Sequence, residues 1–235
     1  MVMAGLQHWV MAGVLVAATP AAQAADRGFT ITDFDRIRID GPYAVQITTG
    51  RGTTAKASGA REAIERVSLQ VQGRTLTIRP DRSVWGANGA AATSPVTISI
   101  STRELRTVML YGSGSLQIDR ASGPRLELIV QGSGRVEVGR VETDRLDLGM
   151  TGSGAAKLAG SVKALNAVVR GSASVDGTAL TANDIILNTE SASNVTLAAK
   201  TSAKVQSTGA GNTSITGKAA CTVTATGAGL VQCGR

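Results

Sequence analysis

The chain has 235 residues and carries 24 Lys and Arg against 17 Asp and Glu, for a net charge of +7. Aromatic residues make up only 3% and histidine occurs once, so the stacked aromatics of single-strand nucleic-acid binders and histidine-rich metal centres are excluded. The Lys and Arg residues are scattered, with no run of five or more, which fits a solvated basic surface better than a specific nucleic-acid site.

The chain opens with an apolar stretch from Leu6 to Ala18, followed by Ala22-Gln23-Ala24. This pattern predicts a secretory signal over residues 1–24, cleaved to leave Ala25 first. The start carries no Lys or Arg, so a retained N-terminal anchor is the competing reading. No cysteine follows the apolar run, and no later segment is long enough to cross a membrane as a helix.

Residues 25–110 are expected to form a β-rich region that caps the C-terminal half of the chain. Short strands are predicted at Phe29–Ile31, Ile37–Ile39 and Ala44–Ile47, with a turn at Asp40-Gly41-Pro42. Ala60 to Val67 fits one or two helical turns with Ala63, Ile64 and Val67 on one side. A hairpin comes next, Leu69–Val71 and Leu76–Ile78 about Gln72-Gly73-Arg74. Pro80 to Ser94, with Trp85, reads as a mobile loop, and Val96–Ile100 as a strand leading into the repeats.

Residues 111–235 are dominated by a recurring Gly-Ser-Gly step. It appears as Gly112-Ser113-Gly114, Gly132-Ser133-Gly134 and Gly152-Ser153-Gly154. It then continues as Gly171-Ser172-Ala173, Ser191-Ala192-Ser193, Gly209-Ala210-Gly211 and Gly227-Ala228-Gly229. Successive first residues are 20, 20, 19, 20, 18 and 18 apart. A constant period of this size marks a stack of like units. Between the steps apolar and polar residues alternate, as in half-buried strands.

The registers of these strands line up. The longer strand presents Leu126, Leu146, Leu165, Ile185, Ala203 and Cys221 inward, then Leu128, Leu148, Ala167, Leu187, Val205 and Val223. The shorter strand presents Ile118, Val138, Leu158, Gly177, Leu197, Ile215 and Cys233. The expected fold is all-β: a single-stranded parallel β-helix of about 18–20 residues per turn, with glycine at one corner of every coil. An antiparallel sheet of hairpins is the alternative. It does not explain the constant period or the single phase of the glycines.

Cys221 and Cys233 are the only cysteines. In an exported chain they suggest a disulfide pinning the open end of the stack; two buried free thiols are the alternative.

The order of motifs resembles a known family. It runs I-x-I-x-G-x-x-x-V-x-I (Ile37, Ile39, Gly41, Val45, Ile47), then G-x-x-L-x-I (Gly73, Leu76, Ile78). L-x-x-V-x-L-x-G-S-G comes next (Leu105, Val108, Leu110, Gly112 to Gly114), and then the repeated steps. Together these resemble the bacterial family described as putative autotransporter adhesin, head GIN domain, across essentially the whole chain after the signal. The resemblance implies a right-handed parallel β-helix, export, and an adhesive or envelope role without known catalysis. The Gly-Ile-Asn triplet that names the family does not occur, and no segment reads as a translocating barrel.

Removal of the signal would take away His8, the one histidine, and with it Ser-His-Asp or Cys-His catalysis. No phosphate-binding glycine loop with lysine is present, and no cofactor, metal or catalytic residue is expected. Two outward ladders carry charge: Glu127 and Asp147, flanked by Arg125 and Arg145, and Glu137, Lys157 and Asp176. They would be the acid-base groups of a polysaccharide lyase or hydrolase, the enzymatic alternative, or simple cross-strand charge pairs. Outward apolar residues Ile129, Val168 and Ile186 fall on neighbouring ladders and suit a covering partner. The expectation is an exported, non-enzymatic binding or structural module of the cell envelope with an unknown protein or polysaccharide partner. A cationic protein held on anionic envelope polymers is the third reading.

Overall fold

The computed structural model describes residues 25–81 and 95–234. About 74% of the described residues are strand, wound into a β-solenoid of about six turns. The predicted signal and nearly all of the predicted loop after Pro80 lie outside the described residues.

The repeats build long strands that trace the coil through its bends: β10 (Ala121–Gly132), β11 (Arg135–Gly152), β12 (Ala155–Gly171), β13 (Ser174–Ser191) and β14 (Asn194–Gly209). Each lies parallel to the next. Leu126, Leu146, Leu165, Ile185 and Ala203 are direct partners in consecutive turns, and none is more than 1% exposed. A side-chain period of two sends alternate residues inward. In-register stacking, about 4.8 Å per turn, then places each inward residue on its counterpart. The second ladder, from Leu128 to Val205, is equally regular. The short-strand ladder is less so. Ile118, Val138 and Leu158 align, as do Gly177, Leu197 and Ile215, but the register slips between Leu158 and Gly177.

The glycine step is the corner of the coil. The first position takes a positive φ: +100° at Gly112, +113° at Gly132, +115° at Gly152. There L-residues other than glycine are strained. The third position needs closeness instead: a Cβ on Gly154 would stand 2.6 Å from the carbonyl oxygen of Gly134. The middle serine points to solvent while its N–H bonds the turn below, Ser133 to the Gly112 carbonyl at 3.0 Å and Ser153 to Gly132 at 2.9 Å. The corner is thus a hydrogen-bonded column with room for almost no side chain inside.

The N-terminal residues are woven into this coil. β2 (Arg36–Asp40) lies between β6 (Thr75–Pro80) and β8 (Thr107–Gly112), parallel to both. β3 (Ala44–Thr49) lies likewise between β7 (Thr97–Thr102) and β9 (Ser115–Ile118). The spatial order of layers is therefore β6/β7, β2/β3, β8/β9, which is not the chain order. Buried Asp35 pins this crossing, accepting from Arg74 Nε at 2.8 Å with Arg106 Nε 3.8 Å away.

The outermost layer is closed by antiparallel strands. β5 (Val67–Gln72) covers β6, β4 (Thr54–Gly59) covers β7, and β1 (Ala25–Phe29) covers β4. The helix α1 (Arg61–Glu65) joins β4 to β5 and buries Ala63 and Ile64. Two expectations shift: the first strand ends at Phe29 rather than starting there, and β4 was unforeseen because the only apolar residues in its alternation, Ala55 and Ala57, are small.

At the other end stand β15 (Thr213–Thr216), β16 (Ala220–Thr226) and β17 (Val231–Cys233). Cys221 and Cys233 are joined by a disulfide, with Cα atoms 6.3 Å apart. Cys221 pairs with Ala203 and Cys233 with Ile215, as the ladders require. Neither cysteine is buried, however, because no further turn lies over the last one. The inward register and the bond at the open end are as expected, and the alternative of two buried free thiols does not hold.

Candidate binding face

The long strands present outward columns as well as inward ones. One of them runs Met109, Ile129, Gly149, Val168, Asn188 and Gln206 in direct register. Ile129 and Val168 therefore share one ladder, with Gly149 between them. Ile186, 49% exposed, stands in the neighbouring column above Asn166.

Gly149 opens a notch in this face. A groove of about 420 Å³ centres on it, with Ile129 and Val168 on either side, Asp147 and Asn166 along one rim and Thr151 and Arg170 along the other. Nothing in the backbone demands glycine here. Its φ is not in the left-handed region, and an added Cβ would come no nearer than 4.0 Å to the Leu128 carbonyl oxygen. The corner glycines are structural; Gly149 instead shapes the surface. The sequence reading missed it, although the signal was available: glycine occupies the outward slot of Leu146-Asp147-Leu148-Gly149-Met150, one turn from Ile129 and Val168.

Glu127 and Asp147 are direct partners on adjacent turns, as are Arg125 and Arg145. Asp147 is the centre of this cluster. Its side chain is 18% exposed, with Arg125 Nε at 2.8 Å and Arg145 Nε at 2.9 Å, and Asn166 donates to it at 3.1 Å. Burial pushes its carboxyl up, but the Asn166 and Arg145 hydrogen bonds and the charges of Arg125 and Arg145 outweigh it and hold it below the ordinary carboxylate range. A general acid for glycoside cleavage needs the opposite shift. The geometry suits a fixed anion and acceptor at the groove rim.

The second charged ladder is also as expected: Glu137, Lys157 and Asp176 are in register. Lys157 lies 3.8 Å from Glu137. Asp176 turns along its own strand instead, accepting from the Thr178 hydroxyl at 2.7 Å and its N–H at 3.1 Å. These bonds lower its pKa. Other basic residues of the repeats are paired as well, Arg120 with Glu142 and Arg170 with Glu190, so the excess positive charge is dispersed. Among the described residues no three His, Cys, Asp or Glu side chains gather as a metal ion would require. No helix among them is long and apolar enough to cross a membrane.

A family model described as "Putative auto-transporter adhesin, head GIN domain" matches residues 33–219. No curated protein is similar to the chain. Several solved structures share its fold, among them the following three. One, described as a putative adhesin from Bacteroides fragilis, is 17% identical with a TM-score of 0.79, covering 91% of this chain and 98% of that one. A second, described as a putative lipid binding protein from Parabacteroides distasonis, is 20% identical with a TM-score of 0.70, covering 90% and 97%. A third, described as a putative adhesin from Parabacteroides merdae, is 17% identical with a TM-score of 0.69, covering 91% and 97%. At such identities the likeness concerns the fold.

Proposed function

The chain belongs to the family described as putative auto-transporter adhesin, head GIN domain, and from that premise we propose that it is an exported, non-enzymatic binding module of the cell envelope. Its outer face around Gly149 grips an extended partner, a polysaccharide or a segment of another envelope protein. The single observation that carries this reading is the groove beside a glycine that neither backbone nor packing requires. Apolar flanks with a fixed carboxylate on one rim and a guanidinium on the other suit many modest contacts along a strand-like or sugar-chain partner.

Export is supported by the disulfide, a bond that persists in oxidising compartments. A non-enzymatic role is supported by the downward shift of Asp147, which spends its charge on two arginines.

The test is binding of the exported protein to immobilised envelope polysaccharides and envelope fractions, comparing wild type with Gly149→Leu. The variant fills the groove and should lose binding at least tenfold with its melting temperature unchanged or raised. Binding indifferent to Gly149→Leu would reject this face. The net charge of +7 favours charge retention on anionic polymers as a second reading. In that case binding survives the variant and vanishes as salt rises.

A further inference from the structure

The two ends of the solenoid are finished differently. At the β6/β7 end the parallel layers are covered by antiparallel β5 and β4. The edge beyond them, β1, carries Asp26 and Arg27, with Asp26 held 2.7 Å from Lys56. Charge and antiparallel covering are the usual protection of an exposed sheet edge. At the other end β16 is hydrogen-bonded in register to β14, along one side. All seven of its residues are exposed, Val223 by 42% and the nearby Leu230 by 66%.

This edge lacks those safeguards. Ala220-Cys221-Thr222-Val223-Thr224-Ala225-Thr226 contains no charge and no proline, and four of its seven residues are β-branched. Its companion, Val231-Gln232-Cys233, is uncharged too. The Cys221–Cys233 disulfide ties the two edge strands together, so the end is presented as one pre-ordered surface.

We infer that this end is an isologous interface, closed by the same end of a second copy through antiparallel pairing of β16 with β16. Pairing about a two-fold axis at Val223 sets Cys221 opposite Ala225 and Thr222 opposite Thr224. Inward residues then meet inward residues and threonines meet threonines, which favours cross-strand contact. No like charges face each other along β16, although the whole chain carries +7. The nearest cation before the strand, Lys218, falls opposite Ala228 of the second copy in that register. A head-to-tail stack would instead set this neutral edge against the charged, antiparallel-covered end. The match of an uncharged edge with an uncharged edge therefore selects the closed pair over an open fibre, in which the charges of the covered end would be desolvated against a neutral strand.

The experiment is sedimentation velocity of the exported protein over a wide concentration range, with hydrogen exchange at low and high concentration. The expected result is a monomer–dimer equilibrium that stops at two, with slower exchange in residues 220–226 at high concentration. Val223→Lys and Thr224→Pro should each weaken the dimer at least tenfold; two chemically different variants guard against one misfolding. A monomer at every concentration, open-ended growth, a dimer untouched by both variants, or unchanged exchange in β16 would each overturn the inference.

Discussion

Ser191 stands in direct register between Gly171 and Gly209 and adopts their left-handed backbone, with φ of +73°. Among the described residues it is the one non-glycine with positive φ. The corner ladder enforces this conformation on it, because the turns on either side share the same bend. Strain of this kind costs an L-residue about 1–2 kcal/mol. Ser191→Gly should therefore stabilise the protein by about 0.5–1 kcal/mol, after the extra freedom glycine gains when unfolded. A rise in the denaturant midpoint at constant slope is the expected reading.

The same corner predicts the opposite response one turn lower. At Gly171 a Cβ would lie 2.5 Å from the Gly152 carbonyl oxygen while φ is +93°. Gly171→Ala combines strain with a backbone clash and should cost more than about 2 kcal/mol. A change below about 0.5 kcal/mol, roughly the noise of an ordinary surface substitution, would contradict this account of the step.

Leu146 is fully buried between Leu126 and Leu165. Leu146→Ala leaves a cavity in a column whose neighbours are locked in register and cannot collapse into it. The expected loss is about 3–5 kcal/mol, in the upper part of the usual range. Equilibrium unfolding of the variant against wild type measures it.

Asp147 sets an acid dependence. Its folded pKa is depressed, so the stability it contributes is fully present above the unfolded value, about 3.9. That stability is lost as pH falls through the folded value. Asp147→Asn should be less stable than wild type at neutral pH, leaving Arg125 and Arg145 without their shared anion. The gap should close as the medium is acidified below about pH 4. Paired melts across pH check the convergence; a gap that widened in acid would reverse the sign.

Reduction of Cys221–Cys233 should act locally. The bond closes a loop over a sequence separation of 12, for which chain entropy gives about 3 kcal/mol. It joins strands at the exposed end of a quasi-one-dimensional stack. Exchange or proteolysis within residues 217–234 should accelerate on reduction while the main thermal transition stays nearly in place.

Much of the fold was legible because a solenoid in register converts repetition into geometry. The spacing of Gly112, Gly132 and Gly152 is the length of one coil, and the column from Leu126 to Ala203 results from it. The columns of charge, Glu127 on Asp147 and Glu137 on Lys157, were legible for the same reason. Their roles were not. Asp147 is defined by two arginines and Asn166, and register alone does not say which way those side chains turn. Gly149 was invisible as a feature because a glycine in a glycine-rich repeat draws no notice until its surroundings show that nothing requires it.

The sequence by itself determined the period, the inward ladders and the corner, since each is a local alternation multiplied by a constant spacing. Only the tertiary structure decided where β2 and β3 sit, between layers supplied by β6/β7 on one side and β8/β9 on the other. A strand's own pattern states which face it buries, not which strand it lies beside. The same reason left Cys221 exposed and Cys233 only half-buried: register places them in the inward columns, and full burial requires another turn above.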